Sequence, residues 1–152
     1  MRNPAPTPPP SSPSAHPHSA RPSQWRQRLR QPAFWVSAWA AWFVLLCIFS
    51  SIPGHRFGRM PFDWFDKLEH AGFFFLGSSL MGAWLLATGR WPGKWWLLPS
   101  LAAAVGLFDE AHQLMTPGRS GMDAGDWLAD VLGGTLALIP VAVVAWRRRQ
   151  RS

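Results

Sequence analysis

The chain has 152 residues, of which 48% are hydrophobic and only 15% are charged, and it contains eleven tryptophans and no tyrosine. This length allows one domain at most, and the single cysteine, Cys47, excludes a disulfide framework and a thiolate metal site. The net charge of +7 does not indicate a nucleic-acid binder, because the basic residues gather at the ends of apolar segments, as membrane topology requires.

The first 30 residues are predicted to form a disordered tail. Residues 1–24 hold eight of the fifteen prolines, together with serine, alanine and histidine. Such a composition offers almost nothing that a folded core would bury. A short basic piece ending at Arg30 completes this Pro-rich and basic segment, which is residues 1–30.

Four apolar blocks follow, and they predict an all-α membrane protein with four transmembrane helices. The uncharged run 33–52 is long enough to span the hydrocarbon and too long for the apolar part of a cleaved signal. The later blocks are 71–88, 95 to about 114, and 127–146, and the connectors are 53–70, 89–94 and 115–126. The third and fourth blocks count as spans only if Asp109, Glu110 and Asp130 are accepted near their ends.

The charges divide between the two sides of these spans. Eleven of the fifteen basic residues fall on one side, and the other side holds Arg56, Arg59, Lys67 and Arg119. The positive-inside rule therefore predicts an inner (cytoplasmic) membrane protein with both termini in the cytoplasm, including the basic C-terminus at 148–152. All eight acidic residues fall on the outer side, which gives that side a formal charge of 4 − 8 = −4. Since acidic residues carry little topological information, their clustering is an independent signal.

Three short segments place polar side chains at the outer ends of the spans. They are Asp66 and His70, then Asp109, Glu110 and Gln113, and finally Asp126 and Asp130. Spacings of three and four residues put the members of each segment on one face of a helix. Three helices are thus expected to aim a carboxylate-rich face at a shared axis, with His112 pointing away from it.

Depth in the membrane separates site candidates from ordinary loop charges. Glu110 and Asp130 lie about one turn inside a span, where an unpaired charge costs on the order of 1–3 kcal/mol. Ionisable residues at such depth usually face the bundle interior and mark function, and His70 lies at the mouth of its span. Asp63 and Glu69 are interpreted as solvated connector charges.

The sequence allows two interpretations for several residues. Asp126 is either a site residue or the N-cap of the fourth helix. Arg119 either pairs with Asp126 or Glu110, or binds an anionic head group in bidentate fashion. Small residues in the spans are most simply close-packing positions between helices; they are Gly72, Gly77, Ser78, Gly82, Ala102, Gly106, Gly133 and Gly134.

Four segments resemble the motifs of the VanZ-like membrane proteins. DKLEH (66–70) resembles the family's D-K-x-x-H segment, and DEAHQ (109–113) resembles its D-E-x-x-Q segment. PGRS (117–120) resembles the loop that follows, and DWLAD (126–130) with Gly133 resembles the final D-x-x-A-[ND]-x-x-G segment. The matches come in the family's order over residues 33–146. His112 fills a variable position, and Asp130 stands where asparagine is common.

The resemblance implies a four-helix transmembrane domain over residues 31–147 and work at the cell envelope. The family's name comes from a link to resistance against the glycopeptide antibiotic teicoplanin. A family-level analogy does not supply site chemistry, so whether the protein is an enzyme stays open.

The first functional hypothesis is a membrane-embedded binder or modifier of a membrane lipid or lipid-linked envelope component. Its ligand-binding residues are Asp66, His70, Asp109, Glu110, Gln113, Arg119, Asp126 and Asp130, and its candidate catalytic residues are Asp66, His70 and Glu110. An outer face of −4 repels a bare phosphate, so a phospholipid or polyprenyl phosphate needs protonated carboxylates or a bridging divalent metal. Carboxylates and imidazole suit Mg²⁺, Mn²⁺ or Zn²⁺, although the spacing matches no specific metal motif.

Two further hypotheses belong to other functional classes. An ion or proton transporter needs polar groups through the depth of the membrane, and the inner halves of the spans offer only Ser37, Thr88 and Ser100. A non-catalytic accessory protein would use the polar cluster to tie helix ends together and to present a surface to a partner. That reading stays open because the sequence has no Ser-His-Asp order, no cysteine nucleophile and no phosphate-cradling glycine loop.

Overall fold

The structure is a computed structural model that describes Met1 and residues 27–29, 31–54 and 64–151. Its helices are α1 (Pro32–Ser50), α2 (Phe65–Ala87), α3 (Trp91–Lys94), α4 (Leu97–Gln113), α5 (Ala124–Leu136) and α6 (Leu138–Arg149). Within these ranges the chain is helical without strands, so the all-α prediction is confirmed for the described part. The predicted disordered tail lies outside the described residues except for Met1 and 27–29, and Arg56, Arg59 and Asp63 also lie outside them.

Among the residues that the structure describes, three helical stretches are long and apolar enough to cross a membrane. They are α1, α2 and the 26-residue stretch Ala124–Arg149, which α5 and α6 make together. The third predicted span corresponds to α4, which has 17 residues and carries Asp109 and Glu110 in its last turns. Length and composition therefore support three membrane spans, and α4 is not among the stretches that they identify.

The start of α2 differs from the sequence-based boundary. The helix begins at Phe65, whereas the second apolar block begins at Ala71. Asp66 lies in its first turn, where a negative charge interacts favourably with the helix dipole. Asp66, Glu69 and His70 therefore belong to a helix rather than to a connector. The four-residue spacing places Asp66 and His70 on the same face of this helix.

The last apolar stretch is divided at Ala137, between α5 and α6. Pro140 has no amide hydrogen to donate to the carbonyl of Leu136, and its ring crowds that carbonyl. The helical ladder is therefore interrupted one turn before the proline, although the chain continues in the same apolar stretch.

Helix α2 is the centre of the bundle and packs against α1, α4, α5 and α6. One core cluster joins α1, α2 and α4 through Trp42, Leu46, Phe74, Ala102 and Val105. A second cluster consists of Leu85, Leu98, Ala137 and Val141. The contact between α2 and α5 is closest at Gly133, where a side chain would collide with the backbone carbonyl of Ala71.

The two ends of the bundle differ in charge. At one end, called here the acidic end, α1 and α4 finish and α2 and α5 begin; its described carboxylates are Asp66, Glu69, Asp109, Glu110, Asp123, Asp126 and Asp130. At the opposite, basic end, the Arg148 Nη1 donates to the carbonyl of Leu86 over 3.3 Å. Arg90, Lys94, Arg147 and Arg149 lie at this basic end. The candidate site lies at the acidic end.

Candidate functional site

His70 is the centre of the polar cluster at the acidic end. Its Nδ1 lies 2.9 Å from Asp130 Oδ1, and its Nε2 lies 4.0 Å from Asp126 Oδ2. These contacts join α2 to α5 at two successive turns of α5. The contact with Asp130 fixes the orientation of the His70 ring, and in the neutral imidazole an Nδ1–H directed at this carboxylate makes Nε2 the acceptor.

His70 also approaches the carboxylates of α4. One donor atom from each of His70, Asp109 and Glu110 lies within 4.8 Å of the other two, and the same holds for Asp66, His70 and Asp126. The three sequence segments that were predicted to share a site are therefore brought together around one imidazole.

Three of these carboxylates are almost completely buried. Asp109 and Glu110 are each 1% exposed and Asp130 is 0% exposed. Glu110 Oε2 accepts a hydrogen bond of 2.6 Å from the backbone amide of Asp123. Within the described residues, Glu110 Oε1 and Asp130 Oδ2 have no hydrogen-bond partner. Buried oxygen atoms of this kind are costly unless another group satisfies them.

Both carboxylate oxygens of Asp109 accept hydrogen bonds. Ser50 donates its hydroxyl to Oδ1, and Gln113 Nε2 donates to Oδ2 over 2.8 Å. The carbonyl of Ser50 in turn accepts from Thr116 Oγ1 over 2.9 Å. Helix α1 thus contributes to the site, so the expectation of a three-helix polar face is corrected to four helices. Sequence reasoning missed Ser50 because a lone serine at the end of an apolar run has no pattern.

A lysine-centred network flanks the cluster. Lys67 Nζ lies 2.5 Å from Asp126 Oδ1, 3.1 Å from Asp123 Oδ2 and 3.7 Å from Asp66 Oδ2. The hydrogen bond from Lys67, together with the backbone amide of Gly125, holds the pKa of the Asp123 carboxyl below its usual value. In the sequence, Lys67 is recognisable only as an outer charge and a motif residue.

Asp123 is the N-cap of α5. Its carboxylate accepts from the backbone amides of Gly125 over 2.7 Å and of Asp126 over 3.4 Å. The reading of Asp126 as the cap is therefore wrong, because its side chain faces Lys67 and is buried with the residue 3% exposed.

A cavity of about 470 Å³ opens beside this cluster. Its polar lining residues are Ser50, Asp66, Glu69, His70, Asp109, Gln113 and Arg119. Its apolar lining residues are Leu46, Phe49, Leu68, Gly72, Phe73, Phe74 and Leu76. The cavity therefore offers both polar or charged groups and hydrocarbon to a ligand.

The predicted site residues fall into two layers. Asp66, His70, Asp109, Gln113 and Arg119 line the cavity, whereas Glu110, Asp126 and Asp130 are buried and do not belong to its lining. Glu69 is exposed at the cavity edge and lies in α2, not in a connector. His112 lies outside the lining, with its Nε2 3.3 Å from Ser51 Oγ, as its direction on the helix predicted.

Gly72 differs from the other small residues of the spans. A side chain at Gly77, Gly82, Gly106, Gly133 or Gly134 would collide with a neighbouring helix, as the close-packing interpretation requires. A Cβ at Gly72 would meet nothing within 4 Å, because this glycine lines the cavity. Its functional position could not be read from the sequence, where it looks like every other glycine.

Comparison of the chain with models of protein families, with curated proteins and with solved structures gives no match. The VanZ-like resemblance therefore depends on the four short motifs, and the function depends on the geometry of the site.

Proposed function

We propose that the chain is a VanZ-like integral membrane protein that binds or modifies a lipid-linked component of the cell envelope and thereby contributes to resistance against envelope-directed antibiotics. The observation that carries this proposal is the cavity at the acidic end, which is lined by both polar and apolar residues. A lining that combines carboxylate, imidazole and guanidinium groups with aromatic and aliphatic side chains matches a ligand with a polar head and a hydrocarbon chain.

The apolar lining continues onto the outside of the bundle. Phe49, Leu68 and Leu76 line the cavity and are 48%, 56% and 51% exposed. In a bilayer, such exposed apolar residues on a spanning helix face the acyl chains. A lipid can therefore enter from the side, with its chains in the bilayer and its head group against His70 and Arg119.

The charge distribution gives the orientation that this function needs. The basic end carries Arg90, Lys94 and the arginines of α6, and the positive-inside rule assigns such an end to the cytoplasm. The acidic end and its cavity then lie at the outer interface of the inner membrane, with both termini inside. There the site meets lipid-linked envelope precursors after they have crossed the membrane.

This orientation requires α4 to be a fourth span, although it is short. Seventeen residues extend about 25 Å along a helix axis, close to the roughly 30 Å of the hydrocarbon core. Its two carboxylates do not face lipid, since Asp109 bonds to Ser50 and Gln113 and Glu110 bonds to the amide of Asp123. The apolar remainder of α4 packs against α5.

The cluster also supports chemistry on a bound ligand. In the neutral form of His70 with Nδ1–H directed at Asp130, Nε2 can accept a proton, which is the requirement for a general base. Of the candidate catalytic residues, His70 and Asp66 line the cavity, whereas Glu110 does not. His70 is therefore the best placed to act on a head group.

One observation favours a non-catalytic accessory role as the second candidate. Many of the polar contacts at the acidic end join helix ends to each other: Ser50 to Asp109, Lys67 to Asp126, and His70 to Asp130. A cluster with a purely structural role would need these contacts between helices and would not need the cavity. The two candidates therefore predict different activities for a variant that fills the cavity and keeps the contacts.

Gly72 allows that experiment. Gly72→Leu places a side chain in open space within the cavity and leaves these contacts in place. Gly72→Ala adds only one methyl group, and Gly93→Leu adds the same leucine at another open position, in α3 at the basic end. Purified full-length proteins in nanodiscs would be irradiated with photoactivatable phospholipid and polyprenyl phosphate, and glycopeptide resistance would be measured in cells that produce equal amounts of each protein.

Lipid binding at the site predicts at least a tenfold loss of cavity labelling and a loss of resistance for Gly72→Leu, with both control variants unchanged. Labelling of Gly72→Leu at the wild-type level would reject the proposed ligand. Retained resistance together with lost labelling would favour the accessory role.

A further inference from the structure

Three carboxylates of the cluster are almost completely buried. Asp109, Glu110 and Asp130 are at most 1% exposed. Within residues 31–54 and 64–151, the cluster's lysine pairs with Asp66, Asp123 and Asp126, and Asp130 pairs with His70. Burying a carboxylate costs several kcal/mol for each charge that is left unpaired, so a cation bound beside Asp109 and Glu110 would stabilise them.

In the described part of the chain, two groups of side chains have the donors and the spacing for a metal ion. In the group of Asp66, His70 and Asp126, the ammonium of Lys67 already occupies the neighbourhood, 2.5 Å from Asp126 Oδ1. A second cation there would be repelled. The group of His70, Asp109 and Glu110 has no such lysine, and two of its three members are almost fully buried.

Unused lone pairs point to the same group. Glu110 Oε1 is buried without a hydrogen-bond partner within the described residues, while Oε2 is held by the amide of Asp123. In the neutral imidazole, an Nδ1–H directed at Asp130 Oδ1, 2.9 Å away, leaves the lone pair of Nε2 available to a metal ion. Each oxygen of Asp109 accepts one hydrogen bond and keeps a second lone pair. The three residues therefore each retain a donor atom.

We propose that His70, Asp109 and Glu110 bind one divalent cation. Two carboxylates and one imidazole suit Mn²⁺ or Zn²⁺. The donor atoms lie within 4.8 Å of one another, and donors that share such an ion are roughly 3–4.5 Å apart, so small side-chain rotations complete the site.

The surrounding contacts match those of a metal centre. Metal-binding histidines commonly donate their second ring N–H to a carboxylate, which orients the ring and increases its basicity; Asp130 does this for His70. Ser50 and Gln113 fix Asp109 in the same manner. Asp130 is thus a positioning residue for the ion and not one of its ligands.

His70 and Asp109 also line the cavity, so the bound ion would lie among its polar lining residues. A cation there would attract a phosphate head group that the carboxylates would otherwise repel. This role toward a lipid rests on the proposed function, whereas binding of the ion does not.

Binding of Mn²⁺ is the direct test. The full-length protein would be stripped with chelator and placed in nanodiscs of phosphatidylcholine, whose zwitterionic surface binds little Mn²⁺, and the free Mn²⁺ would be followed by electron paramagnetic resonance. We expect one ion per chain, displaced by Zn²⁺, with an affinity at least tenfold lower in Glu110→Gln. The matched control is Glu69→Gln, which removes an exposed carboxylate from the cavity edge and should keep the wild-type affinity.

A second measurement reads the imidazole directly and remains decisive if Glu110→Gln does not fold. Bound Mn²⁺ should show a ¹⁴N modulation from a coordinated imidazole, absent in His70→Gln and retained in His112→Gln. Absence of saturable Mn²⁺ binding, wild-type affinity in Glu110→Gln, or a ¹⁴N modulation that survives in His70→Gln would overturn the proposal. Because no envelope lipid is present, labelling of Gly72→Leu at the wild-type level, which would reject the proposed ligand, would leave this result unaffected.

Discussion

His70 and Asp130 form a buried hydrogen-bonded pair between α2 and α5, with Nδ1 2.9 Å from Oδ1. The carboxylate is fully buried, and its residue follows one turn after Asp126, whose side chain also approaches His70. This pair decides which nitrogen of His70 faces the rest of the site. It also joins the first turns of α2 to those of α5. The pair is therefore expected to affect both the stability of the bundle and the chemistry of the His70 imidazole.

Asp130→Ala should destabilise the protein by about 1–3 kcal/mol, because it leaves the ring N–H of His70 buried without an acceptor. Asp130→Asn should recover most of that loss, since its amide oxygen can accept the same hydrogen bond. Asparagine is also the residue that the VanZ-like motif most often has at this position. Tryptophan fluorescence during thermal unfolding in detergent would compare the three proteins. Equal midpoints for Ala and Asn would show that the hydrogen bond contributes little.

Among the cations of the acidic end, we expect Lys67 to contribute most to the free energy of unfolding. Lys67→Met removes the partner of Asp126, a carboxylate whose residue is 3% exposed, and a buried charge left without its partner costs about 3 kcal/mol or more. Because the lysine is partly exposed and solvent screens its charge, we expect the free energy of unfolding to fall by about 2 kcal/mol. Lys94→Met, an exposed lysine at the basic end, is the control and should stay within about 0.5 kcal/mol of wild type. The same unfolding assay would test both, and similar midpoints for the two variants would contradict the assigned role.

Asp123 combines a helix cap with an ion pair, and two substitutions separate them. Asp123→Ala loses both and should cost about 1 kcal/mol for the cap alone. Asp123→Asn keeps the cap and loses the charge. The Asp123 pKa is lowered in the folded protein, so the contribution of its charge is present above the unfolded pKa of about 3.9 and is lost as the pH falls through the folded value.

The difference in unfolding midpoint between wild type and Asp123→Asn should therefore be measurable at pH 7 and should shrink as the pH falls below about 4. Midpoints of both proteins across this pH range would check it. A difference that persists undiminished at low pH would mean that the carboxylate acts through its shape and not through its charge.

The helical fold and the meeting of the polar segments were predictable because both follow from local spacing. Apolar blocks identify α1, α2 and the stretch of α5 and α6 by length, and intervals of three and four residues place Asp109 and Gln113 on one face. The start of α2 at Phe65 was missed because the charged first turn, from Asp66 to His70, interrupts the apolar pattern that marks a span. A polar helix end and a polar connector have the same composition.

Other parts of the site depend on contacts between helices, which no single segment encodes. Ser50 becomes significant only because Asp109 lies against it, and Lys67 only because two aspartates, Asp123 and Asp126, surround its ammonium. Gly72 and Gly133 are identical in sequence terms, and their roles differ because a helix faces one and a cavity faces the other.

That contrast between glycines is itself testable. Gly133→Ala should destabilise the bundle by about 1–3 kcal/mol, because the added methyl group collides with the backbone carbonyl of Ala71 and a backbone cannot move aside cheaply. Gly72→Ala meets no atom within 4 Å and replaces a helical glycine, so it should be neutral or stabilising by up to about 1 kcal/mol. Thermal midpoints and expression levels would compare them. Equal effects of the two substitutions would contradict the close packing of α2 on α5.

The number of spans can be decided from the two ends of α4. Lys94 precedes α4 and Met115 follows it, with Met115 77% exposed. If α4 crosses the membrane, these residues lie on opposite sides; if only the three longer stretches cross, they lie on the same side. Single cysteines at Lys94→Cys and Met115→Cys, in a Cys47→Ser background, would be exposed to a membrane-impermeant maleimide in intact and lysed cells.

We expect Met115→Cys to be labelled in intact cells and Lys94→Cys only after lysis, because the positive-inside rule predicts the basic end on the cytoplasmic side. The Cys47→Ser parent controls for labelling of other groups, and a permeant maleimide confirms that each cysteine is reactive. Labelling of both positions under the same condition would place the ends of α4 on one side. The cavity would then face a membrane with three crossings, and the four-span arrangement would be excluded.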